Sequence, residues 1–252
     1  MKGLRILQAK VHKNFDLDPE SSHRKKMALR EPKIFCIGFQ KTGTTSLGLA
    51  LGKLGYRVCG PVGVTNPGIR YKALDWALEK TPYYDAFEDN PWPLLYKELD
   101  QRFPGSKFIL TYRHPRAWIK SAKKYFGYYE AAAEVWIYDG VGSPIGNQRR
   151  FLKRYKQHNK EVRDYFAGRP HDFLEIDLTK STDEENWDRI CAFLGHPVPH
   201  GMPFPRANSS GTLEAEAQRH AVGIFATART WFDRFNRAVL IALQKLFGSP
   251  AS

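Results

Sequence analysis

Lys41, Thr42, Thr44, Thr45 and Ser46 gather an amine and a run of hydroxyls around Gly43, directly after the apolar stretch Ile34-Phe35-Cys36-Ile37. That stretch is rich in β-branched and aromatic residues, as a buried parallel strand is. Gly38 and Gly43 interrupt it. Ser46-Leu47-Gly48-Leu49-Ala50-Leu51 then resumes with leucines at helical spacing. A strand, a glycine-bearing loop and a hydroxyl-rich helix start aim backbone N–H groups and the positive end of a helix dipole at one anion. Holding a phosphate or a sulfate is the chemistry this stretch can do.

Its spacing departs from the common nucleotide loop, which needs Gly, four residues, Gly, Lys and then Ser or Thr. Gly38 and Gly43 keep that spacing, but Thr44 stands where the lysine belongs. The lysine sits inside the loop instead, at position 41, where it meets a terminal anion from the other side. A second anion site is offered farther along. Arg113 carries a planar fork suited to a phosphate, and Ser121 offers a hydroxyl eight residues later, across the corner Arg113-His114-Pro115. A proton acceptor is offered by Glu88-Asp89, which end a short strand before Asn90-Pro91. Strand alternation sends one of these two carboxyls away from the cleft. Asp89 also suits a helix N-cap, so both roles stay open for it.

The elements that must position these groups alternate. Strands are predicted at the start of the loop, at Tyr56–Cys59, Tyr84–Glu88, Lys107–Tyr112 and Phe173–Ile176. Helices are predicted over Ile69–Lys80, Trp92–Phe103, from Pro115, over Asn147–Phe166 with a basic solvated face, and over Thr182–Leu194. Alternation of this kind predicts an α/β fold, a three-layer P-loop-type domain whose central parallel sheet is flanked by helices. Ligands in such sheets bind beyond the carboxyl ends of the strands, where Lys41, Asp89 and Arg113 all fall. Loops at 128–146 and 197–211 are expected to shape the acceptor pocket, with Trp92, Trp136 and Tyr138 as its walls. His158 is a weaker candidate for substrate or catalytic contact, since a lone His on a basic helix is more often a surface residue.

The run Lys41-Thr42-Gly43-Thr44-Thr45-Ser46 after a strand resembles the 5′-phosphosulfate loop of the sulfotransferases that use 3′-phosphoadenosine 5′-phosphosulfate (PAPS). Arg113 and Ser121 are similar to the pair that holds the donor's 3′-phosphate in that family, although His114 stands where an Asp is frequent. Asp89-Asn90-Pro91, Pro104-Gly105-Ser106-Lys107, His158-Asn159, Phe193-Leu194-Gly195 and Pro203-Phe204-Pro205-Arg206-Ala207-Asn208 resemble one branch of small sulfotransferases. The resemblance spans about residues 33–208. It implies transfer of a sulfuryl group from PAPS to a hydroxyl, leaving adenosine 3′,5′-bisphosphate, with no metal. It also implies that Gln40, Lys41, Thr42, Gly43, Thr44, Thr45 and Ser46 hold the donor's 5′ end and that Arg113 and Ser121 hold its 3′-phosphate. By the same resemblance Asp89 is the base, assisted by Lys41, with Glu88 as its rival.

Composition sets the frame. The 252 residues carry 39 Lys and Arg against 26 Asp and Glu, a net charge of +13. That balance favours a polyanionic partner without choosing among nucleic acid, an acidic membrane surface and an anionic small ligand. The expected partner is a small-molecule or glycan acceptor, and no nucleic-acid-binding module is present in the sequence pattern. Cys36, Cys59 and Cys191 are odd in number and unpaired by motif, which with the lack of a signal-peptide core sets a cytoplasmic expectation. Residues 1–32 read as a basic extension, 33–210 as the sulfotransferase-like domain, and 211–252 as a long amphipathic helix. Its Trp231, Phe232 and Phe235 suit packing on the domain, a homodimer contact or peripheral membrane contact. Two rival classes are a P-loop kinase or NTPase, with Asp177 as its metal aspartate, and a non-enzymatic binder of polyanions or membrane surface.

Overall fold

The structure is a computed structural model, and it describes residues 32–127 and 130–207. The extension read over 1–32 and the helix read over 211–252 fall, apart from Pro32, outside the described residues.

Five parallel strands form one sheet: β1 (Ile34–Cys36), β2 (Val58–Cys59), β3 (Ala86–Phe87), β4 (Lys107–Thr111) and β5 (Phe173–Ile176). Their order is β2-β3-β1-β4-β5, all parallel. Seven α-helices flank them: α1 (Thr44–Lys53), α2 (Ile69–Lys80), α3 (Tyr96–Arg102), α4 (Pro115–Phe126), α5 (Ala132–Ile137), α6 (Gln148–Tyr165) and α7 (Asp183–Leu194). This is the three-layer α/β architecture read from the alternation of elements.

The period-2 alternation of the strands divides the core. Phe35, Phe87, Phe108 and Leu110 face one way and pack with Ile69, Ala73 and Ala77 of α2, Tyr96 and Leu99 of α3, and Val162 of α6. Ile34, Cys36, Ala86 and Ile109 face the other way, against Leu47, Ala50 and Leu51 of α1 and Trp187, Ile190 and Cys191 of α7. Both faces are covered, which is why β1, β2 and β3 are apolar throughout. α7 is bounded as its sequence dictates. The Thr182 hydroxyl accepts from the Glu185 N–H, the Glu185 carboxylate accepts from the Thr182 N–H, and Gly195 closes the helix at φ 69°.

One helix is shorter than its pattern. The helix expected over 92–103 divides into a 3₁₀ turn at Trp92–Leu94 and α3 from Tyr96. Pro93 brings no N–H to the first turn. Trp92 is fully buried with its indole donating to the Gly60 carbonyl at 3.1 Å. The backbone there closes i to i+3 bonds instead.

The chain leaves β1 toward β3 and β2 on one side and leaves β4 toward β5 on the other. The crevice beyond β1 and β4 is therefore the switch point of the sheet, where ligands of open α/β folds bind.

Candidate functional site

The loop between β1 and α1 is drawn against the end of β4. A Cβ on Gly38 would overlap the side chain and backbone of Thr111, so only glycine lets the two strand ends approach this closely. The Thr42 hydroxyl meets the Thr111 hydroxyl at 2.6 Å and also donates to the Phe39 carbonyl. Lys41 and Gly43 are both left-handed, at φ 69° and 107°. For Lys41 that conformation costs on the order of 1 kcal/mol and is held from outside the loop. Arg113 Nη1 donates to the Lys41 carbonyl at 3.3 Å, and the Trp118 indole donates to the Gln40 carbonyl at 3.0 Å. α1 begins at Thr44 with no side-chain cap, leaving its N-terminus for an anion.

Arg113 is set by α6. Tyr155 stacks on Trp118 at 4.1 Å, its hydroxyl donates to the Arg113 carbonyl at 2.7 Å, and it accepts the Arg113 N–H at 3.0 Å. Arg113 Nε is buried without a protein partner. His114 caps α4, its Nδ1 accepting the Arg116 N–H, and Pro115 takes the first helical position. Ala117, Ser121 and Tyr125 then follow at i, i+4 and i+8 along one side of α4.

These groups share one cavity of about 630 Å³. Gln40, Lys41, Gly43, Thr44, Thr45, Ser46, Asp89, Arg113 and Ser121 all line it. Of the residues singled out for the donor, Thr42 alone does not, because its hydroxyl is spent on Thr111. The far wall comes from Leu178, Thr179 and the segment Phe204–Ala207, docked on the loop by an Ala207 N–H bond to the Ser46 hydroxyl at 3.0 Å. Arg206, tied to Asp183 at 2.7 Å, and Lys120 add cations that sequence reasoning had not placed here. For Lys120 the signal was present: it adjoins Ser121 on α4.

Alternation separates the two carboxyls as expected. Asp89 opens on the cavity, left-handed at φ 67°, its carboxylate accepting the Asn90 N–H at 2.7 Å. It caps no helix. Burial holds the Asp89 carboxyl above the ordinary carboxylate range, opposed by the Asn90 bond and by Lys41. Glu88 turns inward beneath α1, where it meets the Thr44 hydroxyl and packs on Gly48. Burial, then the neighbouring Asp89, raises it as well. A third carboxyl, Glu134 on α5, is buried with Oε2 unpartnered and is pushed up to about 8 by burial and by Asp89.

Several expectations are corrected. His158 is not a surface residue. It is buried, stacked on Phe39 at 4.1 Å, with Nε2 donating to the Ile37 carbonyl at 2.8 Å. Burial drives its pKa down to about 3. The aromatic walls are also different. Trp92 and Tyr138 are fully buried, and Trp136 packs on the α2 and α3 side of the core. Among the described residues Tyr125, Phe126 and Phe204 are the aromatic lining. Of the described residues of 197–211, Phe204, Pro205, Arg206 and Ala207 line this cavity. The described part of 128–146 does not. Asp177 binds the Thr179 N–H and hydroxyl at 3.0 and 2.6 Å. Among the described residues no group of three or more His, Cys, Asp or Glu is placed to hold a metal ion, and no helix is long and apolar enough to cross a membrane.

The family described as sulfotransferase domain matches this chain over residues 33–143 and 126–213, which takes in every strand and helix above. No curated protein matches it.

Proposed function

This chain belongs to the sulfotransferase family, and from that premise we propose that it transfers a sulfuryl group from PAPS to a hydroxyl of a small-molecule or glycan acceptor. The observation that carries the proposal is the meeting of two anion-binding sets and one carboxylate in a single cavity. The Lys41 loop stands at one side, Arg113 with Ser121 at another, and Asp89 opens between strands at the same crevice.

The residues fit a donor with an anion at each end of its ribose. The uncapped start of α1 and the unpartnered Arg113 Nε are groups that ask for an anionic partner. When bound, the donor supplies an activated sulfuryl group on a phosphate leaving group. Lys41 and the backbone N–H groups at Gly43 to Ser46 stabilise the charge that grows on that phosphate. Arg113 and Ser121 grip the 3′-phosphate and fix the donor's register. Asp89 takes the proton from the acceptor hydroxyl, and its raised pKa makes it a stronger base than an exposed carboxylate. Glu88 is buried away from the cavity and does not reach that proton.

Calorimetric titration with adenosine 3′,5′-bisphosphate, AMP and ATP with Mg²⁺ tests the reading, with Arg113→Ala as control. The bisphosphate alone should bind tightly, and the variant should lose at least tenfold, the scale of one charge-assisted bond. Equal affinity for AMP and the bisphosphate would discard the donor assignment. Preference for ATP with Mg²⁺ would favour phosphoryl transfer.

A further inference from the structure

We propose that Tyr125 is a positioning residue for Lys41: its ring holds the lysine ammonium over the cavity. The role in turnover rests on the function proposed above, while the contact itself does not. Lys41 Nζ lies 3.8 Å from the centroid of the Tyr125 ring, close for a cation over an aromatic face. The ring is half exposed and lines the cavity, so its place there is not explained by core packing. It is nonetheless fixed, since Phe126 meets it edge-on at 4.8 Å and is itself buried in the α4–α6 core.

The ring acts on a side chain that the loop backbone alone does not aim. The Lys41 backbone is anchored by Arg113 and by the left-handed turn, but its side chain has four rotatable bonds beyond that anchor. The same helix that carries Ser121 presents Tyr125 one turn later, on the same side. A π face attracts the charge and itself takes up none of the ammonium's hydrogen-bond donors. A carboxylate in Tyr125's place would neutralise the lysine; a ring steers it and leaves it cationic.

The test compares Tyr125→Phe and Tyr125→Trp, which keep a π face, with Tyr125→Leu, which keeps bulk without one. The half-exposed position lets all three fold, which circular dichroism checks. Two readouts are taken. Labelling of Lys41 by an amine-reactive reagent, quantified by mass spectrometry against Lys120 in the same molecule, reports the contact whatever the protein's activity. The Leu variant should label Lys41 about three- to thirtyfold faster, the range a cation–π contact supports, while Phe and Trp remain near the parent. Affinity for adenosine 3′,5′-bisphosphate should follow the same order. Unchanged labelling in the Leu variant would overturn the contact. A Phe variant that binds as weakly as Leu would overturn the positioning role, because the ring and not the hydroxyl is held responsible. If the parent binds no bisphosphate, the donor assignment falls and with it the positioning role in turnover; the labelling result then bears on the contact alone.

Discussion

The Thr42 and Thr111 hydroxyls meet at 2.6 Å and so join the anion-binding loop to the end of β4. The bond sits beside the Gly38 backbone, which leaves no room for a side chain. The two parallel neighbours β1 and β4, whose onward connections run to opposite sides of the sheet, are thus locked together where the cavity opens. Lys41 and Arg113, one from each strand end, owe their common orientation to this lock, and the Arg113 bond to the Lys41 carbonyl completes it.

Gly38→Ala should therefore damage both stability and site. The added methyl meets backbone as well as the Thr111 side chain, so rotation of one side chain cannot relieve it. A loss of about 1–3 kcal/mol is expected, with bisphosphate affinity falling alongside. Gly52→Ala is the control, since nothing lies within 4 Å of its added Cβ and the site is helical. That change should stabilise by about 0.5–1 kcal/mol. Thermal melts of the two variants moving in the same direction would refute the lock.

Asp89→Asn should leave bisphosphate binding within about threefold of the parent and cut turnover by roughly 10²- to 10⁴-fold, the range for a general base. Turnover is measured as bisphosphate release in whichever hydroxyl acceptor a panel of phenols and sugars identifies. In the parent, the rate should rise with pH through a value above the ordinary carboxylate range, because burial raises Asp89. A rate unchanged in Asp89→Asn would move the base elsewhere.

The strand, glycine loop and hydroxyl-rich helix start were legible because each rests on local pattern: apolar run, glycine spacing, helical leucines. Arg113 and Ser121 were legible because a strand-to-helix corner fixes their separation. What the sequence could not supply was the direction of side chains from distant elements. Trp92 and Tyr138 are aromatic and near the site in sequence, yet both point into the core. Arg206 reaches the cavity only because Ala207 docks on Ser46, a contact across 161 residues. Tyr125 was within reach of pattern reasoning, since it follows Ser121 by one helical turn.

Glu134 should make the protein less stable as pH rises. Its carboxyl is near 4.5 when exposed and about 8 when folded, so the folded state binds the extra proton between those values. Stability is then greatest below about 4.5 for this group and is lost as pH climbs through 8. Glu134→Gln removes that slope. Relative to the parent it should gain roughly 2–4 kcal/mol at pH 8 and little at pH 5. Urea denaturation at both values measures it, and an equal difference at the two would show that Glu134 does not carry the effect.

His158 should act in the opposite sense. Its Nε2 donates to the Ile37 carbonyl, so the folded ring is neutral with Nδ1 bare, and Nδ1 has no protein partner to accept a proton for. Burial, with Arg154 adding repulsion, keeps the folded value near 3 against 6.5 when exposed. Stability is therefore full above about 6.5 and falls as pH drops toward 3, because the unfolded chain takes up a proton that the folded chain refuses. The slope for one proton reaches about 1.4 kcal/mol per pH unit. His158→Gln keeps an amide donor for Ile37 but loses the stack on Phe39, so at pH 7.5 it should be about 1–2 kcal/mol less stable than the parent. Since Gln does not titrate, the two stabilities should converge as the pH is lowered to 5. Denaturation midpoints that stay equally far apart from pH 7.5 to 5 would mean that the folded imidazole takes up a proton as readily as the unfolded one, and burial would then not hold it neutral.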